Sequence, residues 1–117
     1  MSSASSSLIQ SLAHNGVEVI FSLSGNQIMP LYDACIDANI RIIHTRHEGA
    51  AVYMAEAYAQ LSGELGVALV TAGPGLLNAV SALIRQRDQK PRSCSSAAMQ
   101  VLAWMDAAAF KSLINAQ

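Results

Sequence analysis

Gly66-Val67-Ala68-Leu69-Val70-Thr71 is an almost unbroken apolar run, closed by Ala72-Gly73-Pro74-Gly75. A run this short suits a strand buried on both faces of a parallel sheet, since such a strand has no solvent side toward which to alternate. It therefore calls for helices on both sides, and the flanking sequence offers them. Residues 8–14 have helical spacing with Leu8, Leu12 and Ala13 inward, and Asn15-Gly16 ends the pattern. Residues 17–23 read as a strand running into Ser24-Gly25-Asn26. Residues 28–38 return to helical spacing with Ile28, Leu31, Cys35 and Ile36 on one side; Pro30 falls in the first turn, where its missing N–H costs little. A short strand at 41–44, an Ala-rich helix at 48–62 stopped by Gly63, and a helix at 76–84 complete the alternation. Strand and helix in turn argue an α/β fold: an open parallel sheet with helices on both faces and right-handed crossovers.

Composition narrows the function classes. The chain has 117 residues and a net charge of −1, with Lys+Arg 7 against Asp+Glu 8. That balance gives no electrostatic case for nucleic acid or an anionic membrane. No apolar run approaches the roughly 20 residues needed to span a bilayer. Residues 1–7 are Ser-rich, lack a signal-type core and are expected to be disordered, so the chain reads as cytoplasmic. Cys35 and Cys94 have no metal-like spacing and read as small buried hydrophobes rather than nucleophiles or a disulfide.

The chemistry-bearing stretch is Thr45-Arg46-His47-Glu48-Gly49-Ala50-Ala51. Glu48 sits between the end of a strand and the first turn of a helix, the edge at which open α/β sheets place their ligands. A carboxylate there is stabilised by the helix dipole, so a purely structural role also suits it. Gly73-Pro74-Gly75 precedes another helix and invites an anion-binding reading. Yet there is no GxGxxG and no following Lys-Ser/Thr, so a rigid tight turn serves equally well. Asn78 reads as a hydrogen-bonding group of the site or as a cap.

In combination these motifs are more specific. Gly16-Val17 with Ile20-Phe21, Ile28-Met29-Pro30-Leu31-Tyr32-Asp33-Ala34, Arg46-His47-Glu48 with Ala50-Ala51 and Met54-Ala55, Gly63, and Gly73-Pro74-Gly75 with Asn78 occur in one order. The series resembles the N-terminal pyrimidine-binding (PYR) domain of thiamine-diphosphate enzymes, nearest to the acetolactate synthase and acetolactate-synthase-like branch, over residues 8–82. The resemblance implies a pyrimidine-binding domain at 8–90. In that family the glutamate at the position of Glu48 hydrogen-bonds N1′ of the aminopyrimidine, favouring the tautomer whose 4′-nitrogen takes the proton from thiazolium C2. The implied cofactor contacts are Glu48, Gly25, Gly73, Pro74, Gly75 and Asn78, with Glu48 catalytic and no metal ligand in this chain. His47 and Arg46 flank the glutamate, with a direct role and a structural one both open.

The same resemblance makes the expected site a half-site. Mg²⁺ and the diphosphate would be held by the pyrophosphate-binding (PP) domain of a homologous chain in a homo-dimer or hetero-oligomer, and any FAD site lies in a domain outside this sequence. The turn at Ser24-Gly25-Asn26-Gln27 departs from the Pro-Gly-Gly type usual in the synthase branch. After about Ile84 the family pattern fades, and residues 91–117 read as a divergent tail. There Ala108-Ala109-Phe110-Lys111 only faintly resembles the family, and a short helix is expected over 99–105. The sheet is accordingly expected to be incomplete at its C-terminal end. Three readings follow: the pyrimidine-binding domain of a 2-keto acid carboligase or decarboxylase, inactive alone; a non-catalytic dimerisation module; or a truncated, non-functional product.

Overall fold

The computed structural model describes the backbone of residues 4–89 and 99–104 and the side chains of residues 4–85. In chain order the elements are α1 (Ala4–His14), β1 (Val19–Ser22), a 3-10 turn (Asn26–Ile28), α2 (Met29–Asp37), β2 (Arg41–His44), α3 (Glu48–Ser62), β3 (Gly66–Thr71), α4 (Pro74–Gln89) and β4 (Met99–Trp104). The strands form one parallel sheet in the order β2-β1-β3-β4. From β1 the chain moves outward to β2, then returns to the other side of β1 as β3. The strand order therefore reverses between β1 and β3, the crevice where doubly wound sheets bind ligands.

Side-chain alternation along the two central strands builds a core on each face. Ile20, Val67 and Leu69 join Ile9, Leu31 and Cys35 beneath α1 and α2. Val19, Phe21, Ala68 and Val70 join Ala51, Val52, Ala55 and Ala82 beneath α3 and α4. The apolar run 66–71 is buried on both sides as its composition requires. Each fully buried Leu, Ile or Val contributes about 1.5–3 kcal/mol. A polar relay pins the first face: the Tyr32 hydroxyl donates to Ser22 Oγ at 2.7 Å, and Ser22 Oγ donates to the Leu69 carbonyl at 2.7 Å. On the other face α3 lies so close to β3 that a Cβ on Gly66 would fall on the carbonyl oxygen of Ala55.

The structure corrects four expectations. Helix α1 begins at Ala4, inside the Ser-rich stretch read as disordered, because Ser5 and Ile9 are both buried by the helix. Ile36 is 77% exposed rather than inward. It stands about 100° round the helix from Cys35, and Tyr32 takes the inward place because its hydroxyl reaches Ser22. Helix α4 starts at Pro74, two residues before the expected start, and runs to Gln89. Finally, residues 99–104 are a strand, not a helix: β4 pairs with β3 from Gly66↔Met99 to Thr71↔Trp104. Met, Leu and Ala favour helices locally, but the open edge of β3 offers a full ladder of backbone partners, and pairing overrides so weak a preference. Cys94 and the segment around Lys111 lie outside the described residues.

Candidate functional site

Three turns leave the carboxyl edge of the sheet side by side. The turn after β1 carries Gly25 and Gln27, that after β2 carries Thr45 to His47, and that after β3 carries Gly73. Thr45 N donates to the Ser22 carbonyl at 2.9 Å, fixing the second turn to the end of β1. His47 is the N-cap of α3, its Nδ1 accepting from Gly49 N at 3.0 Å. That settles a structural role for His47 and leaves Glu48 as the first residue of α3, on the favourable end of the helix dipole.

Glu48 is only 8% exposed. Asn78, one turn into α4, donates from Nδ2 to Glu48 Oε2 at 3.2 Å. Among the described residues no donor reaches Oε1, which is open to solvent. Beneath that oxygen runs the backbone of Gly75, where an added Cβ would stand 3.3 Å from Glu48 Oε1 and 2.7 Å from Thr71 Cγ2. Gly73 holds φ +74, the left-handed conformation that turns the chain from β3 into α4, and its carbonyl accepts from Leu77 N at 3.1 Å to close the first turn. Pro74 follows as the first residue of α4.

The structure thus brings Glu48, Gly75 and Asn78 into contact, with Gly73 and Pro74 shaping the same turn. Gly25 approaches by another route: a Cβ there would lie 2.9 Å from Thr71 Cβ. Two site residues escaped the sequence reading. Thr71 separates Gly25 from Gly75, and its Oγ1 donates to Gln27 Oε1 at 3.1 Å. The available signal was a hydroxyl-bearing β-branched residue ending the central strand ahead of a Gly-rich turn. Among the described residues no group of three His, Cys, Asp or Glu could hold a metal ion, and no helix is long and apolar enough to cross a membrane. A buried carboxylate with one oxygen held and the other open, above a floor without side chain, can share a proton with a flat nitrogen heterocycle.

Comparison with known proteins identifies the family. The chain is 54% identical over 72 residues to 2-hydroxyacyl-CoA lyase 2 of Homo sapiens, covering 62% of this chain and 11% of that protein. To the Danio rerio protein of the same name it is 51% identical over 77 residues, covering 66% and 12%. To acetolactate synthase large subunit IlvG of Mycobacterium tuberculosis it is 37% identical over 94 residues, covering 80% and 17%. The chain therefore spans between 11% and 17% of the length of these relatives. Residues 2–91 match the family model described as thiamine pyrophosphate enzyme, N-terminal TPP binding domain, and by that match the chain belongs to the thiamine pyrophosphate enzymes, through their N-terminal cofactor-binding domain.

Proposed function

We propose that this chain binds the aminopyrimidine half of thiamine diphosphate and supplies one side of a site completed by a second domain. The observation that carries this reading is the buried carboxylate of Glu48, with Oε2 held by Asn78 and Oε1 facing the bare backbone of Gly75. These residues suit the group: Gly75 leaves room for a flat ring, and Oε1 is placed to hold the proton shared with a ring nitrogen. When bound, thiamine diphosphate supplies carbanion chemistry at a carbonyl carbon. The task of the chain is to orient the pyrimidine and hold that proton. Glu48 is largely buried, so a hydrogen bond that a bound ring makes to Oε1 is stronger than in bulk solvent.

For the activity we favour a lyase acting on a 2-hydroxyacyl-CoA, since identity to the proteins named 2-hydroxyacyl-CoA lyase 2 reaches 54% against 37% for the acetolactate synthase. A 2-keto acid carboligase or decarboxylase is the second reading, favoured by the longer match of 94 residues. The partner is a pyrophosphate-binding domain that brings Mg²⁺. Outward apolar residues support a partner: Leu61 is 89% exposed on α3 and Leu77 is 72% exposed on α4.

Calorimetric titration with thiamine diphosphate and Mg²⁺, with and without a separately expressed pyrophosphate-binding domain of a relative, tests the proposal. Binding that requires the second domain and is lost in Glu48→Gln is expected. Absence of binding in both titrations, from a chain shown to be folded, would overturn it.

A further inference from the structure

Thr71 ends the central strand, and its side chain meets two different turns. The methyl faces Gly75: a Cβ on that glycine would stand 2.7 Å from Thr71 Cγ2, with Glu48 Oε1 3.3 Å away on another side. The hydroxyl faces the turn after β1, where Oγ1 donates to Gln27 Oε1 at 3.1 Å. A Cβ on Gly25 would lie 2.9 Å from Thr71 Cβ, 3.1 Å from Oγ1 and 3.3 Å from Cγ2, so only the bond to Gln27 belongs to the hydroxyl alone. A single β-branched side chain therefore sets the spacing between the first and third turns of the site. Being β-branched, it has few rotamers available, so neither turn can move without the other responding. We propose that Thr71 is a positioning residue for Glu48: its methyl fixes the Gly75 backbone beneath the carboxylate, and its hydroxyl holds the Gly25–Gln27 turn as the opposite wall. The effect on cofactor affinity rests on the function proposed above; the effect on Glu48 geometry does not.

The two halves of the side chain separate experimentally. Thr71→Ser removes the methyl and keeps the hydroxyl. Thr71→Val keeps the shape and removes the donor. In NMR spectra of the full chain, Thr71→Ser should shift the Asn78 side-chain amide and the Glu48 carboxyl carbon while leaving the Gln27 side-chain amide in place. Thr71→Val should do the reverse. Calorimetry with thiamine diphosphate, Mg²⁺ and the second domain should then show weakening of roughly tenfold or more for Thr71→Ser, as expected when a positioned group shifts by a fraction of an ångström. Unchanged Asn78 and Glu48 signals in Thr71→Ser would overturn the proposal, as would identical patterns in the two variants. If the unmodified chain binds no cofactor, the functional reading fails and the NMR comparison still decides the positioning role.

Discussion

Replacing Gly66 by Ala should cost far more than replacing Gly63 by Ala, although the two lie on the same connection between α3 and β3. At Gly66 the new Cβ would fall on the Ala55 carbonyl oxygen, 2.9 Å from the Ala55 carbonyl carbon and 3.1 Å from Ala59 Cβ. None of these atoms is the end of a flexible side chain. Carbon atoms pack at about 3.5–4.0 Å, so α3 and the start of β3 must separate by on the order of 1 Å. A gap of that size forfeits about a quarter to a half of each dispersion contact across the interface. The inward face of α3 is Ala51, Val52, Ala55 and Ala59, all at or below 1% exposure, so no slack absorbs the shift. Overpacking ordinarily costs about 1–3 kcal/mol, and a backbone-limited case belongs at the upper end, about 3 kcal/mol.

At Gly63 nothing lies within 4 Å of the built Cβ, but φ is +74. The left-handed conformation costs about 1–2 kcal/mol for Ala, offset by about 0.4–1 kcal/mol from a stiffer unfolded chain. The net loss should be about 1 kcal/mol. Urea unfolding followed by circular dichroism measures both, with a common m-value required for the comparison. Equal losses for the two variants, or a loss below about 1 kcal/mol at Gly66, would refute the argument that α3 and β3 are in backbone contact.

Two further predictions concern the face under α1 and α2. Tyr32→Phe removes the donor to Ser22 Oγ, a fully buried oxygen, and should cost about 1 kcal/mol in urea unfolding; no loss would mean the relay through Ser22 to Leu69 adds nothing. Burial pushes the Cys35 thiol from its ordinary 9.0 up to about 11. The unfolded chain therefore loses this proton first, and stability should fall as pH rises from 9.0 toward about 11. Cys35 should contribute at most about 1.4 kcal/mol per pH unit to that slope. Burial also holds the Tyr32 hydroxyl above its ordinary range, so Cys35→Ala should reduce the slope without abolishing it; an unchanged slope in that variant would contradict the assignment.

Much of the fold was legible because its signals are local. Helix α3 and strand β3 occupy the residues that periodicity assigned them: Gly63 stops the helix, and the run to Thr71 has no polar interruption. Glu48 could be placed at a strand-to-helix junction for the same reason. Its partners were harder, because contact with Asn78 and with the Gly75 backbone depends on how two helices start beside each other, and sequence spacing does not encode that. Thr71 and Gln27 were missed because threonine at a strand end is ordinary by composition, and only the sheet order makes it a wedge between turns. Strand β4 was misread because Met99 to Trp104 contains good helix formers, and its state was decided by the free edge of β3. Ile36 was misassigned because a buried tyrosine with a polar target displaced the aliphatic choice.

The parallel sheet also dictates an order of assembly at the ribosome. Among the described residues, the side-chain hydrogen bonds that join β3 to the β1 side of the sheet are distant in sequence: Ser22 reaches Leu69 across 47 residues, and Thr71 reaches Gln27 across 44. While β1 and β2 are already outside the exit tunnel, the inner edge of β1 stays bare until β3 emerges. At about 5–20 residues per second that interval lasts on the order of seconds. The nascent chain thus displays a short apolar edge, open to mispairing, before the turn that carries Gly73 and Gly75 has been synthesised. Glu48 acquires its Asn78 partner only after Asn78 has been synthesised, 30 residues later, so a ligand held as proposed at Glu48 can assist only the last steps of folding and cannot template the first.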